Sequence, residues 1–416
     1  MNDGPGAERV AVLSSPDLQA LDALVAAAQT AAPHDLATLF DQCARRLGGE
    51  GAVAYLVDLQ QEALRPLLAT PTGPDDVPRT LGVDTTLAGR VYQSFQVHTQ
   101  TRDDGRVDVW LPLLAGAERL GVLAVIVQTA AGIDGVDRQA VLSRFAGVAA
   151  GLVWDKIPFG DTLVRLRRPN PLGLAAELQH SILPPLSFVS HAVSVTAALE
   201  PCYHVAGDAI DYAVDEGRTR VAVFDGMGHG LHSAQCAVFT VAAYRTARRT
   251  GRTLIESLES IDDALAVGLG GEIFTTAVLA ELDTGTGDLR WVNAGHPPPL
   301  LLRGGRLVRV LETSPQPPLG LGHLVDSHPA EIGQEQLEPG DIVLMYTDGV
   351  TEARSPDGDF FGTDRLVDLV VRHVAGGLTT QETLRRVVRE LLAHHHGQLT
   401  DDATLLLVQW RGRTET

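Results

Sequence analysis

The sequence predicts an α+β chain: a smaller N-terminal α/β domain, a helical linker, and a larger C-terminal domain of sheets flanked by helices. Three observations predict it. At roughly 150 residues per domain, a chain of 416 residues has room for two or three domains. Strands and helices come in blocks rather than in strict alternation, which favours mainly antiparallel sheets. A hydrophobic fraction of 44% with ordinary Gly and Pro usage belongs to a globular chain.

Charge and cysteine usage narrow the function. The formal net charge is -19, which argues against a general nucleic-acid binder and against an anionic membrane surface. Three scattered cysteines, Cys43, Cys202 and Cys236, form no CxxC pair; a sparse, odd count fits a reducing cytoplasm. No apolar run reaches the ~18 residues that span a bilayer. The start MNDGPGAERV lacks the basic and apolar regions of a secretion signal.

Residues 1–14 read as a flexible tail and 15–156 as the first domain. Pro16–Thr30 is rich in Ala and Leu and predicts a helix. In His34–Leu47, Leu36, Leu39, Phe40, Cys43 and Leu47 fall at helical spacing. Gly51–Leu59 and Leu64–Ala69 read as strands, Pro71–Pro78 as a turn-rich loop, and Thr86–Phe95 as a short helix. Arg106–Leu114 and Arg119–Gln128 are strands joined by the short link AGAE. Asp137–Trp154 is a helix with Val141, Phe145, Val148 and Leu152 on one face. This layout, and above all LPLLAGAERLGVLAVIVQ, resembles a GAF domain. The resemblance implies a sensory module with an antiparallel sheet and a small-molecule ligand; the alternative is a packing or dimerisation module.

Residues 157–186 read as a helical linker. Leu174, Leu178 and Ile182 share one helical face, and Pro184–Pro185 end the helix. Such a stripe either pairs with its copy in a homodimer or packs on its own domain.

The second domain, 187–416, predicts strands at Ser190–Leu199 and Asp211–Val214, then a strand ending at Asp225. Helices follow at Leu231–Arg248 and Leu254–Leu269. Ile273–Asp283 and Leu289–Asn293 flank the turn TGTG, a hairpin signal. Leu300–Arg303 and Asp341–Thr347 are strands, Asp364–Val374 and Gln381–His394 helices, and Ala403–Trp410 a last strand.

The chemistry concentrates at strand ends. In TRVAVFDGMGHG an apolar run stops at Asp225, followed by Gly226. DIVLMYTDG ends the same way at Asp348. DDATLLLVQ places Asp401 and Asp402 just before a strand, and VAGDAID supplies Asp208 and Asp211. Any one of these is a turn former, and Asp225 alone reads equally well as a helix N-cap. Four of them abutting apolar strands is more than turns require. Brought together they would repel and raise one another's pKa. Hard divalent cations relieve that repulsion, and oxygen-only ligands suit Mg²⁺ or Mn²⁺.

With these motifs the chain resembles the metal-dependent protein phosphatases of the PPM, or type 2C, class, in the bacterial branch typified by SpoIIE and RsbU. AELQHSILPP, AGDAID, FDGMGHG, TTAVLAELD, WVNAGHPPPLLL, EPGDIVLMYTDGVTEAR and DDATLLLV occur in family order from Leu172 onward. The resemblance implies a β-sandwich flanked by helices with a two-metal site at one rim. It implies Asp208, Asp225, Asp348 and Asp401 as the catalytic, metal-binding carboxylates. Asp225 would bridge two Mn²⁺ or Mg²⁺ ions, Gly226 would offer its carbonyl, and a water between the ions would attack phosphorus in line. It implies a phosphoserine or phosphothreonine substrate on an anti-sigma-factor antagonist of the STAS type.

Departures from the family pattern matter too. An aromatic pair common in the branch is replaced by Ala209–Ile210, which favours looser packing beside the site and is the one feature behind a rival reading, a non-catalytic partner-binding regulator. Met227 stands where eukaryotic relatives carry His, so His229 is expected at a turn rather than as general acid. No arginine matches the family's phosphate-binding one, which leaves phosphate to the metals and the N-terminus of the Leu231 helix. Asp402 is the lesser ligand of its pair. Asn293 and His296 are expected to fix a turn, and His394, His395 and His396 to form a solvated helix end.

Overall fold

The computed structural model describes residues 14–69, 78–129, 136–200, 207–228, 230–268, 273–314, 316–322, 330–395, 399 and 401–412. The expected tail at 1–13, together with Cys202, His229 and His396, lies outside the described residues. The chain divides into two compact units, Met1–Pro169 and Asn170–Thr416.

The first unit runs α1 (Ser15–Ala28), α2 (Leu36–Arg46), β1 (Gly51–Val57), β2 (Ala63–Leu67), β3 (Leu81–Gly82), α3 (Leu87–Ser94), β4 (His98–Thr101), β5 (Val107–Ala115), β6 (Glu118–Val127), α4 (Val136–Lys156) and α5 (Asp161–Arg167). Its six strands form one antiparallel sheet in the order β3-β2-β1-β6-β5-β4. The two-residue alternation of strands separates two cores. Leu56, Val109, Leu111 and Leu123 face Phe40, Phe145 and Leu163 of the helices on one side. Tyr55, Trp110 and Val122 face Val91 and Tyr92 of α3 on the other. Gly121 sits at φ +149, where a Cβ would stand 1.8 Å from the Tyr55 carbonyl oxygen, so only glycine lets β6 meet β1 there.

The second unit runs α6 (Leu174–Ile182), β7 (Ser187–Val189), β8 (Val193–Glu200), β9 (Asp208–Asp215), β10 (Arg218–Gly226), α7 (Leu231–Arg249), α8 (Leu254–Gly268), β11 (Thr275–Asp283), β12 (Asp288–Ala294), β13 (Leu300–Arg303), β14 (Arg306–Val310), β15 (Gly333–Gln336), β16 (Ile342–Tyr346), α9 (Asp348–Thr351), α10 (Thr363–Ala375), α11 (Thr380–His394) and β17 (Ala403–Trp410). Two sheets form, β15-β12-β11-β10-β9 and β14-β13-β16-β17-β8-β7. Val221, Val223 and Val278 of one interleave with Val343, Leu406 and Val408 of the other. The outer face of the first sheet is covered by α7 and α8, with Phe224 edge-on to Tyr244 at 5.6 Å between centroids. The outer face of the second is covered by α10 and α11. The result is a four-layer α/β/β/α sandwich.

Two expectations shift. The stretch 157–186 is not a separate connector. Its first half belongs to the first unit, where Leu59 N–H donates to Arg167 O at 3.0 Å and Leu163 is fully buried. Its second half, α6, packs on α7 of the second unit through Ala175 and Ala234. The leucine stripe is buried in part, as a helix packed on its own domain: Leu178 and Ile182 are half-buried against the second unit, Leu174 is 66% exposed, and Ala175, Ala176 and Gln179 turn inward. The strand expected at Asp211–Val214 begins earlier, at Asp208, because the partner strand β10 pairs with it as far as Asp225.

Candidate metal centre

The two halves of the sandwich each bring acidic groups to the same rim. In the first sheet, Asp225 on β10 is the direct antiparallel partner of Asp208 on β9, so the two carboxylates share a face. Helix α7 is capped by Gly230 rather than by Asp225, which removes the N-cap reading of Asp225. Gly228 and Gly230, at φ +87 and +80, take the left-handed backbone that turns the chain from β10 into α7.

In the second sheet, β16 runs out at Tyr346 and the next two residues reach the rim. The Thr347 hydroxyl donates to Asp208 Oδ2 at 2.7 Å and accepts from Thr404 N–H at 2.9 Å. Asp348 opens the single-turn helix α9. Gly349 behind it lies so close to the β17 entry that a Cβ would stand 1.9 Å from the Asp402 carbonyl oxygen. Asp401 is exposed and accepts from Asp402 N–H at 2.9 Å.

Asp402 itself is buried. Its Oδ2 accepts from the N–H of Gly207, from Asp208 N–H at 3.1 Å and from Gln179 Nε2 at 3.4 Å. The Gly226 carbonyl accepts from Ser233 Oγ at 3.0 Å, with its second lone pair left for another partner.

Electrostatics register the crowding. Burial, then the charges of Asp348, Asp401 and Asp402, push Asp225 up to about 7. Burial, then Asp402 and Asp225, hold Asp208 well above the usual carboxylate range. Burial raises Asp402 to about 6, against the backbone N–H groups that it accepts from and with Asp401 adding to the rise. Like charges gathered in a low-dielectric rim are costly until a cation joins them. The donors are all hard oxygens, which fit Mg²⁺ or Mn²⁺ and not a thiophilic metal. Among the described residues no group of three or more His, Cys, Asp or Glu side chains is placed to hold a metal ion. The carboxylates are near enough to raise one another.

Other motif residues settle into structural work. Asp211 is 1% exposed and pairs with Arg245 Nη2 at 2.7 Å and Arg248 Nη2 at 2.6 Å, tying β9 to α7. Asn293 fixes a turn as expected, donating to His296 O and accepting from His296 N–H, both at 2.8 Å. His296 is buried with Nδ1 2.8 Å from Thr276 Oγ1, and Thr276 is the strand partner of Asp225. Ala209 and Ile210, in place of an aromatic pair, are fully buried. His394 is no solvated cap: its ring contacts Phe361, and its nitrogens lie 2.9 Å from Arg365 Nη1 and 3.0 Å from Asp359 O.

Sequence reasoning missed Gln179 and Thr347. Both lie within motif segments, AELQHSILPP and EPGDIVLMYTDGVTEAR, yet neither is ionisable, so a search for charge passes over them.

The chain is similar to several known proteins. Residues 215–411 match the family model "Stage II sporulation protein E (SpoIIE)". The phosphoserine phosphatase RsbU of Bacillus subtilis is 24% identical over 241 residues, 58% of this chain and 70% of that protein. Protein IcfG of Synechocystis is 31% identical over 137 residues, 33% of this chain; the chain spans only 20% of IcfG. Among solved structures, the SiaA-PP2C domain of Pseudomonas aeruginosa aligns at TM-score 0.48 with 21% identity, covering 57% of this chain and 94% of that domain.

Proposed function

We propose, from the match of residues 215–411 to the Stage II sporulation protein E family model, that this chain is a metal-dependent protein phosphatase acting on phosphoserine or phosphothreonine. What supports the reading is crowding at one rim: burial and the charges of Asp348, Asp401 and Asp402 push Asp225 up to about 7, and Asp208 is its strand partner. Asp225 and Asp208 from one sheet, and Asp348 and Asp401 from the other, would hold two Mn²⁺ or Mg²⁺ ions with the Gly226 carbonyl. When bound, the ions supply Lewis-acid activation of water and neutralise charge on the phosphoryl group. Thr347 aims the Asp208 carboxylate. The loop glycines leave the rim open to a phosphorylated side chain, and the N-terminus of α7 offers N–H groups to its phosphate oxygens.

The substrate that fits is a phosphorylated anti-sigma-factor antagonist of the STAS type, in line with the relative named phosphoserine phosphatase RsbU. The first unit, read as a GAF-like sensor for a small molecule, would regulate the second in a cytoplasmic homodimer. The rival, a non-catalytic regulator, rests on Ala209–Ile210; both residues are fully buried, Ala209 under α7 and α8 and Ile210 between the sheets. Release of phosphate from a phosphorylated STAS protein, with Mn²⁺ supplied, is the test. We expect turnover by the wild type and background rates for Asp225→Ala; equal rates would remove the assigned site.

A further inference from the structure

We infer that Gln179 is a positioning residue for the acidic rim, so that the seating of α6 sets how tightly the rim holds divalent metal; this rests on the metal-dependent reading above. Gln179 is 3% exposed and projects from α6 beneath the site. Its Nε2 donates to the Asp208 carbonyl oxygen at 2.8 Å and lies 3.4 Å from Asp402 Oδ2. That same Oδ2 accepts the N–H groups of Gly207 and Asp208. Asp208 is therefore gripped on its carbonyl by Gln179 and on its N–H by a carboxylate that Gln179 also meets. With the peptide held, the Asp208 carboxylate is in turn met by the Thr347 hydroxyl at 2.7 Å. Outer groups of this kind commonly change metal affinity by about 10–100-fold when removed.

The amide travels with α6. This helix has nine residues, too few to hold itself without packing. Ala175 against Ala234, with Leu178 packed beside them, forms its contact with α7. Its last carbonyl, at Ile182, accepts from Arg245 Nη2 at 2.6 Å, and the same guanidinium pairs with Asp211. α6 is the first element after the division at Pro169–Asn170. A shift or unwinding of α6 would release the Asp208 peptide and loosen the carboxylate set.

The experiment is Mn²⁺ titration of the full chain by calorimetry and electron paramagnetic resonance, for wild type, Gln179→Met and Gln179→Asn. Met keeps the length without the donor; Asn keeps the donor one methylene short and stands in if the Met variant does not fold. We expect Mn²⁺ to bind about tenfold more weakly in either variant. The Mn²⁺ needed for half-maximal phosphate release should rise in step, with KM for the phosphoprotein unchanged at saturating Mn²⁺. A purely structural role would lower the melting temperature and leave the Mn²⁺ affinity of the folded protein as in wild type; that result overturns the inference alone. A wild type that binds no Mn²⁺ overturns the metal-dependent reading and this inference with it.

Discussion

At the residue scale the rim depends on neutral groups as much as on acids. His296 shows this. Burial lowers its pKa from 6.5 to about 3, with the backbone of Tyr346 acting the other way. Between those two values the unfolded chain takes up a proton that the folded one refuses. Stability therefore falls as pH drops from about 6.5 towards 3, by up to about 1.4 kcal/mol per pH unit for this one group. Urea unfolding midpoints followed across that window should fall less steeply in His296→Gln than in wild type. Parallel slopes in the two proteins would mean that the imidazole titrates normally.

At the scale of elements, the pairing of β9 with β10 is what places Asp208 beside Asp225, and α7 is bolted to β9 through Asp211. That carboxylate takes two guanidiniums while almost wholly buried. Replacing it leaves two arginines unpaired near a low-dielectric core. Asp211→Asn should cost about 3 kcal/mol, read as a lower urea midpoint with an unchanged slope. It should also weaken Mn²⁺ binding, because Arg245 holds the end of α6 as well. A loss below about 0.5 kcal/mol, the range of an ordinary surface substitution, would show that the pair is solvated in practice.

At the scale of the whole molecule, the division at Pro169–Asn170 makes a claim about where the second unit starts. A fragment 170–416 carries α6 and with it Gln179; a fragment 187–416, cut where the sequence places the second domain, carries neither. The longer fragment should unfold cooperatively and bind Mn²⁺ like the full chain. The shorter should melt lower and bind Mn²⁺ about tenfold more weakly. Equal behaviour would return α6 to the status of a connector.

Much of the site was legible in the chain. Asp225 and Asp348 are marked by apolar runs that stop at a carboxylate, and Asp401 by one that starts just after it. A strand buried on both faces must end at a sheet rim, and its flanking polar residue must sit there. The turn role of Asn293 was legible as well, since its bonds to His296 are local. Gln179 and Asp402 were not. They are 223 residues apart, and a hydrogen bond over that distance leaves no period, spacing or charge run to read. The same holds for Thr347 and Asp208, 139 residues apart.

By itself, the sequence marked the longer apolar strands and the acids at their ends, because hydrophobic periodicity and chain direction are local properties. The tertiary structure alone decided that α6 belongs to the second unit and that an uncharged amide grips the Asp208 peptide. It alone decided that Asp402 serves the backbone while Asp401 faces solvent. Those outcomes depend on which buried polar groups find partners across two sheets, and that is known only once the sheets have packed.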